Sequence, residues 1–305
     1  MKSDFYRAEG RPENPKADYV VCATALGGYV RAVGIRSTIL AGEAMRIHDT
    51  SPVATAALGR FLSGSLLLAS GLKESTVSQS AIIRCDGPLK GMTAVCDGKN
   101  RVRGFVNEPV VDNFLHYPGK LNVGAAVGKG SLSVIRDSGR GQPYTGTVSL
   151  ISGEIAEDFT YYLASSEQIP SIMGLGVLLE QREVSAAGGF LIQVMPGAGE
   201  DVLSFLEERA HGGFPEVTYL LKEGMDPEHI LDMFLGDPEL VFLGAFPVSY
   251  ACACSREKME KNLIILGADE LNDLGKDPNG ITLECHFCGQ KFLFSQQNLL
   301  ELTVG

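Results

Sequence analysis

Hydrophobic and polar residues alternate along much of the first two thirds of the chain, with the two-residue period typical of β-strands. Residues 19–38 alternate in this way on both sides of Gly27-Gly28, which predicts a hairpin. The same period, interrupted by turns that contain glycine and proline, predicts further strands. These strands cover residues 80–84, 92–96, 102–107, 131–135, 148–151 and 190–194.

Helical patterns interrupt these strands. Ser51 can cap a helix, Pro52 suits its first turn, and residues 54–72 are rich in alanine and leucine. We expect this helix to be the central helix of the core. A second helix is predicted over about residues 155–167, and Met195-Pro196-Gly197 ends the region.

Residues 198–250 carry shorter helical patterns. One helix is predicted over residues 200–210, and Asp226-Pro227-Glu228 caps another that runs to Gly236. Each has only two or three turns, too few for stability alone in water, so both helices must dock on another surface. We interpret residues 198–250 as a metastable helical linker.

The last 55 residues, 251–305, combine a helical pattern with paired cysteines. Residues 255–266 predict a helix, and residues 281–284 are expected to pair with residues 291–294 across the turn at Cys285 to Gly289. A hairpin that carries cysteines in its turn resembles a zinc knuckle. This segment is therefore expected to form a small zinc-binding domain.

Composition and length limit the class of protein. The 305 residues are 45% hydrophobic and 21% charged, enough for about two domains. No uncharged apolar run approaches the roughly 18 residues of a membrane span. Residues 1–17 mix both charge signs without an apolar stretch, which predicts a disordered tail rather than a signal peptide. Seven cysteines, four of them in close pairs, favour a reducing compartment, and the cytoplasm is expected.

Negative charge is concentrated in the linker. Residues 1–197 hold 19 Lys and Arg against 18 Asp and Glu, residues 198–250 hold 2 against 11, and residues 251–305 hold 5 against 8. The acidic linker would repel polynucleotides and anionic membranes. We therefore expect neither a nucleic-acid partner nor a membrane partner.

The four paired cysteines are the strongest candidate for chemistry. Cys252, Cys254, Cys285 and Cys288 form Cys-x-Cys and Cys-x-x-Cys pairs, a ligand set for tetrahedral zinc. An inert structural zinc is the simplest interpretation. A Cys252–Cys254 disulfide would, however, be strained and readily reduced, and zinc-bound thiolates are open to oxidants. Since metal binding supplies much of the folding free energy of so small a domain, oxidation would also unfold it.

Several segments resemble the redox-regulated bacterial chaperone family called heat-shock protein 33. The resemblance rests on the cysteine pairs and covers nearly the whole chain from about Asp18. It extends over Val30-Arg31-Ala32, Ala56-Ala57-Leu58-Gly59-Arg60, Gly153-Glu154-Ile155-Ala156-Glu157-Asp158, Ser166-Glu167-Gln168-Ile169-Pro170 and Gly188-Gly189-Phe190.

The resemblance implies an α+β core domain over residues 18–197 and a holdase chaperone that needs no ATP and is not an enzyme. It implies one Zn²⁺ per chain in the reduced, inactive form. Oxidation would pair Cys252 with Cys254 and Cys285 with Cys288, release zinc and unfold the linker. The oxidised protein would dimerise and bind unfolding client proteins under oxidative stress.

Other candidates are weaker on the residues alone. Cys22, Cys85 and Cys96 lie in apolar, strand-like contexts and are interpreted as core residues, and His286 as a neighbour of the zinc ligands. Gly174-Leu175-Gly176 and Gly188-Gly189 are interpreted as turns. Two alternative functions remain: a thiol-disulfide oxidoreductase that uses Cys285 and Cys288, and a zinc-ribbon interaction protein with a structural zinc.

Overall fold

The computed structural model of the chain describes residues 8–71, 77–112, 114–117, 120–139 and 141–302. The chain divides into two compact units, unit 1 over Met1–Tyr250 and unit 2 over Ala251–Gly305. Both units combine β-sheets with helices, so the predicted α+β class is confirmed.

Unit 1 contains two large β-sheets. Its strands are β1 (Tyr19–Ala25), β2 (Val30–Arg36), β3 (Ser78–Cys85), β4 (Met92–Asp97), β5 (Arg101–Val106), β6 (Leu115–Tyr117), β7 (Lys120–Leu121), β8 (Gly130–Asp137), β9 (Tyr144–Ser149), β10 (Ser171–Glu180), β11 (Glu183–Val194), β12 (Val241–Pro247) and β13 (Ser249–Tyr250). One sheet has the order β10-β11-β2-β1-β12, and the other has the order β13-β5-β4-β3-β8-β9. Strands β6 and β7 pair separately.

The helices of unit 1 pack on these sheets. They are α1 (Thr38–His48), α2 (Pro52–Ala69), α3 (Val123–Val127), α4 (Ala156–Ser165), α5 (Glu200–His211), α6 (Val217–Lys222) and α7 (Pro227–Leu235). Helix α2 contacts strands of both sheets and forms the centre of the larger core. Its 18-residue window is long and apolar enough for a membrane span by composition, but 89% of that window is buried inside the protein.

The five-stranded sheet is buried on both faces because its strands are apolar at successive positions. Val20, Val33 and Ile35 belong to the core around α1 and α2. Val21 and Ala32, one residue away along the same strands, point to the opposite face and join the core with α5, α6 and α7. The linker helices therefore dock on this sheet.

The predicted hairpin and central helix are confirmed. Strands β1 and β2 pair across the turn at Gly27 and Gly28, and α2 begins at Pro52, as predicted. The helix ends at Ala69, and the predicted end at Leu72 lies outside the described residues. Helix α1 was not predicted, because its sequence was assigned to the end of the hairpin or left unassigned.

The interpretation of two glycine-rich segments as turns is wrong. Gly174, Gly176 and Gly188 lie within the long strands β10 and β11, where Gly176 is the partner of Gly188. A Cβ atom on Gly188 would lie 2.3 Å from the carbonyl oxygen of Ile35. Glycine is needed here because neighbouring strands approach closely, which sequence alone does not distinguish from a turn.

Two further expectations need correction. Residues 198–250 are not helical throughout, since β12 pairs along β1 and β13 pairs with β5. The disordered tail was predicted over residues 1–17, of which residues 1–7 lie outside the described part. Residues 8–17 make specific contacts, including a buried Ala8 and an ion pair of Arg11 with Asp226.

Unit 2 is small and has its own core. Its elements are α8 (Arg256–Ile264), α9 (Ala268–Leu274), β14 (Ile281–Glu284), β15 (Lys291–Phe294) and α10 (Gln296–Leu302). The predicted first helix and the pairing of β14 with β15 are confirmed, whereas α9 and α10 were not predicted. Leu263, Leu271, Phe292, Phe294 and Leu299 form the buried cluster.

Candidate metal centre

Two segments of unit 2 bring the paired cysteines together. Cys252 and Cys254 lie in the irregular segment just before α8, whose start is capped by the Ser255 hydroxyl as it accepts from the Lys258 amide. Cys285 and Cys288 lie in the turn between β14 and β15. The hairpin therefore presents two sulfurs from one turn, and the segment that precedes α8 presents the other two.

Backbone hydrogen bonds shape the cysteine turn. The amides of Cys288 and Gly289 both donate to the Cys285 carbonyl, at 3.2 and 2.8 Å, and the Cys285 amide donates to the Gln290 carbonyl at 2.9 Å. Gly289 has a φ of +69°, a left-handed conformation that glycine adopts without strain. This tight turn sets the spacing of the Cys-x-x-Cys pair.

The four sulfurs form one compact cluster. All four Sγ atoms lie within 4.8 Å of one another. The Sγ atoms of Cys252 and Cys285 are 3.7 Å apart, and those of Cys254 and Cys288 are 3.4 Å apart. A tetrahedral ZnS₄ centre with bonds of about 2.3 Å has sulfurs separated by about 3.8 Å. The cluster could therefore hold a metal ion, and both its donor set and its dimensions fit zinc.

The four thiols have different electrostatic surroundings. Burial raises the pKa of the Cys252 and Cys254 thiols. Hydrogen bonds with the Cys288 and Cys252 sulfurs add to the increase at Cys254, whereas at Cys252 the hydrogen bonds with Cys254 oppose it. Burial also tends to raise the pKa of the Cys285 thiol, but hydrogen bonds from the Phe287 amide and the Cys252 thiol outweigh this effect and lower the pKa. The site therefore favours the thiolate form of Cys285, which is 6% exposed.

Residues outside the cysteine pairs support the cluster. Gln290 places its side-chain oxygen 3.3 Å from the Cys254 sulfur. The Arg256 guanidinium lies 4.3 Å from the centre of the Phe294 ring and donates to the Leu293 carbonyl at 2.8 Å, which joins α8 to the hairpin. Sequence reasoning missed Gln290 and Arg256, because neither residue belongs to a cysteine motif.

The remaining cysteines lie elsewhere, in the core of unit 1. Cys22 is in β1, Cys85 in β3 and the fully buried Cys96 in β4. Burial raises the pKa of all three thiols, which disfavours the reactive thiolate. Their interpretation as core residues is consistent with these positions. His286 has an exposed side chain and is not among the clustered ligand atoms.

Two aromatic pairs of unit 1, Tyr161 with Tyr162 and Phe242 with Phe246, divide between core and surface. Tyr162 is fully buried and Phe242 is partly buried in the core under the linker, whereas Tyr161 is 40% and Phe246 is 48% exposed. Core packing therefore accounts for Tyr162 and Phe242 only.

Comparison with known proteins identifies relatives that match more than nine tenths of the chain. A family model described as Hsp33 protein matches residues 18–295. A 33 kDa chaperonin of Ruminiclostridium cellulolyticum is 45% identical over 282 residues, which are 92% of this chain and 96% of the relative. One of Clostridioides difficile is 42% identical over 286 residues, 93% of this chain and 98% of the relative. The crystal structure of the 33 kDa chaperonin of Thermotoga maritima has a TM-score of 0.86 and 33% identity, and the match covers 94% of this chain and 98% of that one.

Proposed function

This chain belongs to the Hsp33 protein family, and we propose that it is a redox-regulated holdase chaperone that works without ATP in the cytoplasm. The cluster of four cysteine sulfurs within 4.8 Å is the observation that carries the proposal. We assign four segments: an N-terminal segment over residues 1–17, a core over 18–197, a linker over 198–250 and a redox-switch domain over 251–305.

In the reduced state, Cys252, Cys254, Cys285 and Cys288 are the ligands of one zinc ion per chain. Zinc, when bound, would hold all four sulfurs as thiolates and tie the segment before α8 to the β14–β15 turn. Unit 2 has only about 55 residues and a small apolar cluster, too little core for stability without such a tie. Ligation and folding of unit 2 are thus one equilibrium.

Oxidation converts the ligands into two disulfides, Cys252–Cys254 and Cys285–Cys288. Each disulfide forms as two thiolates lose two electrons. One molecule of peroxide or hypochlorous acid accepts these electrons and, with protons from the solvent, is reduced to water or to chloride and water. Disulfide sulfurs are no longer thiolate ligands, so unit 2 loses zinc and the folding free energy that zinc binding supplies. The Cys252–Cys254 bond is strained by its one-residue spacing, which favours its reduction once the stress ends.

Unfolding of unit 2 frees the end of the linker at residue 250. Helices α5, α6 and α7 cover one apolar face of the five-stranded sheet, which includes Val21, Ala32 and Phe190. If these helices leave the sheet, they expose this face and their own apolar residues such as Leu220 and Phe234. We assign these surfaces to unfolding client proteins, and expect the oxidised chains to form homodimers.

The direct test follows aggregation of heat-denatured citrate synthase. Protein that is reduced and loaded with zinc should not prevent aggregation, whereas hypochlorite, or peroxide with mild heat, should activate it and release one zinc ion to a chromophoric chelator. Full activity in the reduced protein would contradict the switch. Zinc that stays bound after oxidation would favour a purely structural site. Peptide mapping of the oxidised protein distinguishes the assigned disulfides from the alternative pairs Cys252–Cys285 and Cys254–Cys288.

A second experiment tests the coupling between unit 2 and the linker. Replacing both Cys285 and Cys288 by Ser should abolish tight zinc binding and make residues 198–250 sensitive to protease without oxidant. The matched control is Cys85→Ser, outside the cluster, which should leave zinc binding unchanged. Unchanged digestion of the linker in the double variant would show that zinc binding by unit 2 and docking of the linker are not coupled.

A further inference from the structure

Residues 8–17, which we call the N-terminal strap, meet the outer edge of strand β12 at Glu9 and Gly10. The Glu9 carbonyl accepts a hydrogen bond of 2.7 Å from the Ala245 amide of β12. Gly10 has a φ of +82°, and a Cβ atom on it would lie 2.5 Å from the Ala245 carbonyl oxygen. Ala8 is only 4% exposed. The strap thus covers part of an edge strand whose other side pairs with β1.

Arg11 of the strap binds the start of linker helix α7. Its guanidinium contacts the Asp226 carboxylate at 2.7 Å and the Glu228 carboxylate at 3.7 Å. Asp226 caps α7, and Glu228 lies in its first turn, fully buried. The same guanidinium lies 5.8 Å from the centre of the Tyr19 ring. Arg11 therefore supplies positive charge to two acidic groups that the docked linker brings into low dielectric.

The other end of the strap is held by β2. One guanidinium nitrogen of Arg36 donates to the Pro15 carbonyl, and the other donates to the Met225 carbonyl at 2.9 Å. Met225 immediately precedes the cap of α7. A single side chain of the sheet thus fastens both the strap and the loop that leads into α7.

We propose that the N-terminal strap is a regulatory clamp that holds α7 and β12 on the five-stranded sheet and sets how readily the linker is released. The strap lies before residue 18, where the match to the family model begins. The family model therefore does not cover the strap. The regulatory part rests on the proposed function, because the released linker is the activated state.

The clamp has a clear physical basis. Without Arg11, the Glu228 carboxylate would stay buried with its charge uncompensated, which weakens docking of α7 far more than loss of an exposed pair would. Without the Glu9 contact, the Ala245 amide would lose its partner at the edge of β12. Both losses favour the undocked linker and leave the cysteine cluster untouched.

Hydrogen exchange of the full-length, reduced and zinc-loaded protein tests the clamp. In Arg11→Met, amides of residues 226–247 should exchange roughly tenfold faster, the factor given by a change of about 1.4 kcal/mol in opening free energy. Gly10→Ala should act in the same direction through steric conflict with Ala245. The matched control, Lys16→Met, removes the same charge from an exposed strap residue and should exchange like wild type. Slow hydrogen exchange of the α2 amides shows whether each variant is folded.

A second readout separates the clamp from the proposed function. Arg11→Met should gain holdase activity at a several-fold lower hypochlorite dose than wild type and Lys16→Met. If wild type never gains activity but Arg11→Met exchanges faster, the proposed function fails and the clamp stands. Equal exchange in wild type, Arg11→Met and Gly10→Ala overturns the clamp. Faster exchange with an unchanged activating dose overturns its regulatory role.

Discussion

The Tyr19 hydroxyl donates a hydrogen bond of 2.6 Å to the Glu228 carboxylate, between residues 209 positions apart in the chain. Tyr19 is 1% exposed on β1, and Glu228 is fully buried on α7. Burial raises the pKa of both groups. This bond fastens the linker to the first strand of the sheet through a buried polar contact at the start of α7.

Tyr19→Phe should destabilise the docked linker. The substitution keeps the ring but leaves a buried carboxylate oxygen without its donor, which costs about 1–3 kcal/mol. Urea unfolding of the reduced protein measures the loss, and Tyr219→Phe, at a residue of α6 that is 58% exposed, is the matched control. Equal stability of the two variants would show that the bond contributes nothing.

Asp18 should make the stability of unit 1 depend on pH. Its carboxylate accepts from the Leu40 amide at 2.6 Å, and burial raises its pKa to about 6. The unfolded chain, with an Asp pKa of about 3.9, releases this proton at lower pH, so the folded state loses stability as the pH rises from about 4 to 6.

Asp18→Asn keeps an acceptor for Leu40 and removes this titration. Relative to wild type, the variant should gain up to about 3 kcal/mol between pH 4 and pH 7, since two pKa units correspond to about that free energy. Urea unfolding of both proteins across this range measures the difference. A difference that is constant with pH would contradict the assignment.

Gly188→Ala should destabilise the five-stranded sheet. The new Cβ atom would lie 2.3 Å from the Ile35 carbonyl oxygen and 2.7 Å from the Leu221 side chain, and overpacking of this kind costs about 1–3 kcal/mol. Gly42→Ala is the control, because a Cβ atom there meets nothing within 4 Å and helix α1 should gain about 0.5–1 kcal/mol. Thermal unfolding that ranks the two variants in the opposite order would refute this packing argument.

Phe294→Ala should weaken zinc binding without touching a ligand. Phe294 is fully buried in unit 2, and loss of a buried Phe ring costs about 3–5 kcal/mol, which lowers metal affinity because ligation and folding are coupled. Leu293→Ala, at a neighbour that is 60% exposed, should bind zinc like wild type. Competition with a chelator measures the zinc affinities of both variants. Equal affinities would show that packing of the apolar cluster does not contribute to zinc binding.

Much of the fold could be predicted where the pattern of one segment is sufficient. The hairpin of β1 and β2 and the helix α2 follow from alternation, a cap and a run of small apolar residues. Helix α1 could not be predicted in the same way, since its start is stabilised by the Asp18 carboxylate, which accepts from the Leu40 amide 22 positions away. Strand β10 was missed because its glycines suit close packing and turns equally.

The sequence by itself determined the four ligand candidates, because the spacings in Cys252-x-Cys254 and Cys285-x-x-Cys288 are local and their chemistry is specific. Only the tertiary structure decided what holds the linker. Arg11 and Asp226 are 215 positions apart and carry no motif, so their ion pair exists only once β1, β12 and α7 have been assembled. A segment whose sequence predicts disorder becomes a clamp because the folded sheet supplies partners that no local pattern contains.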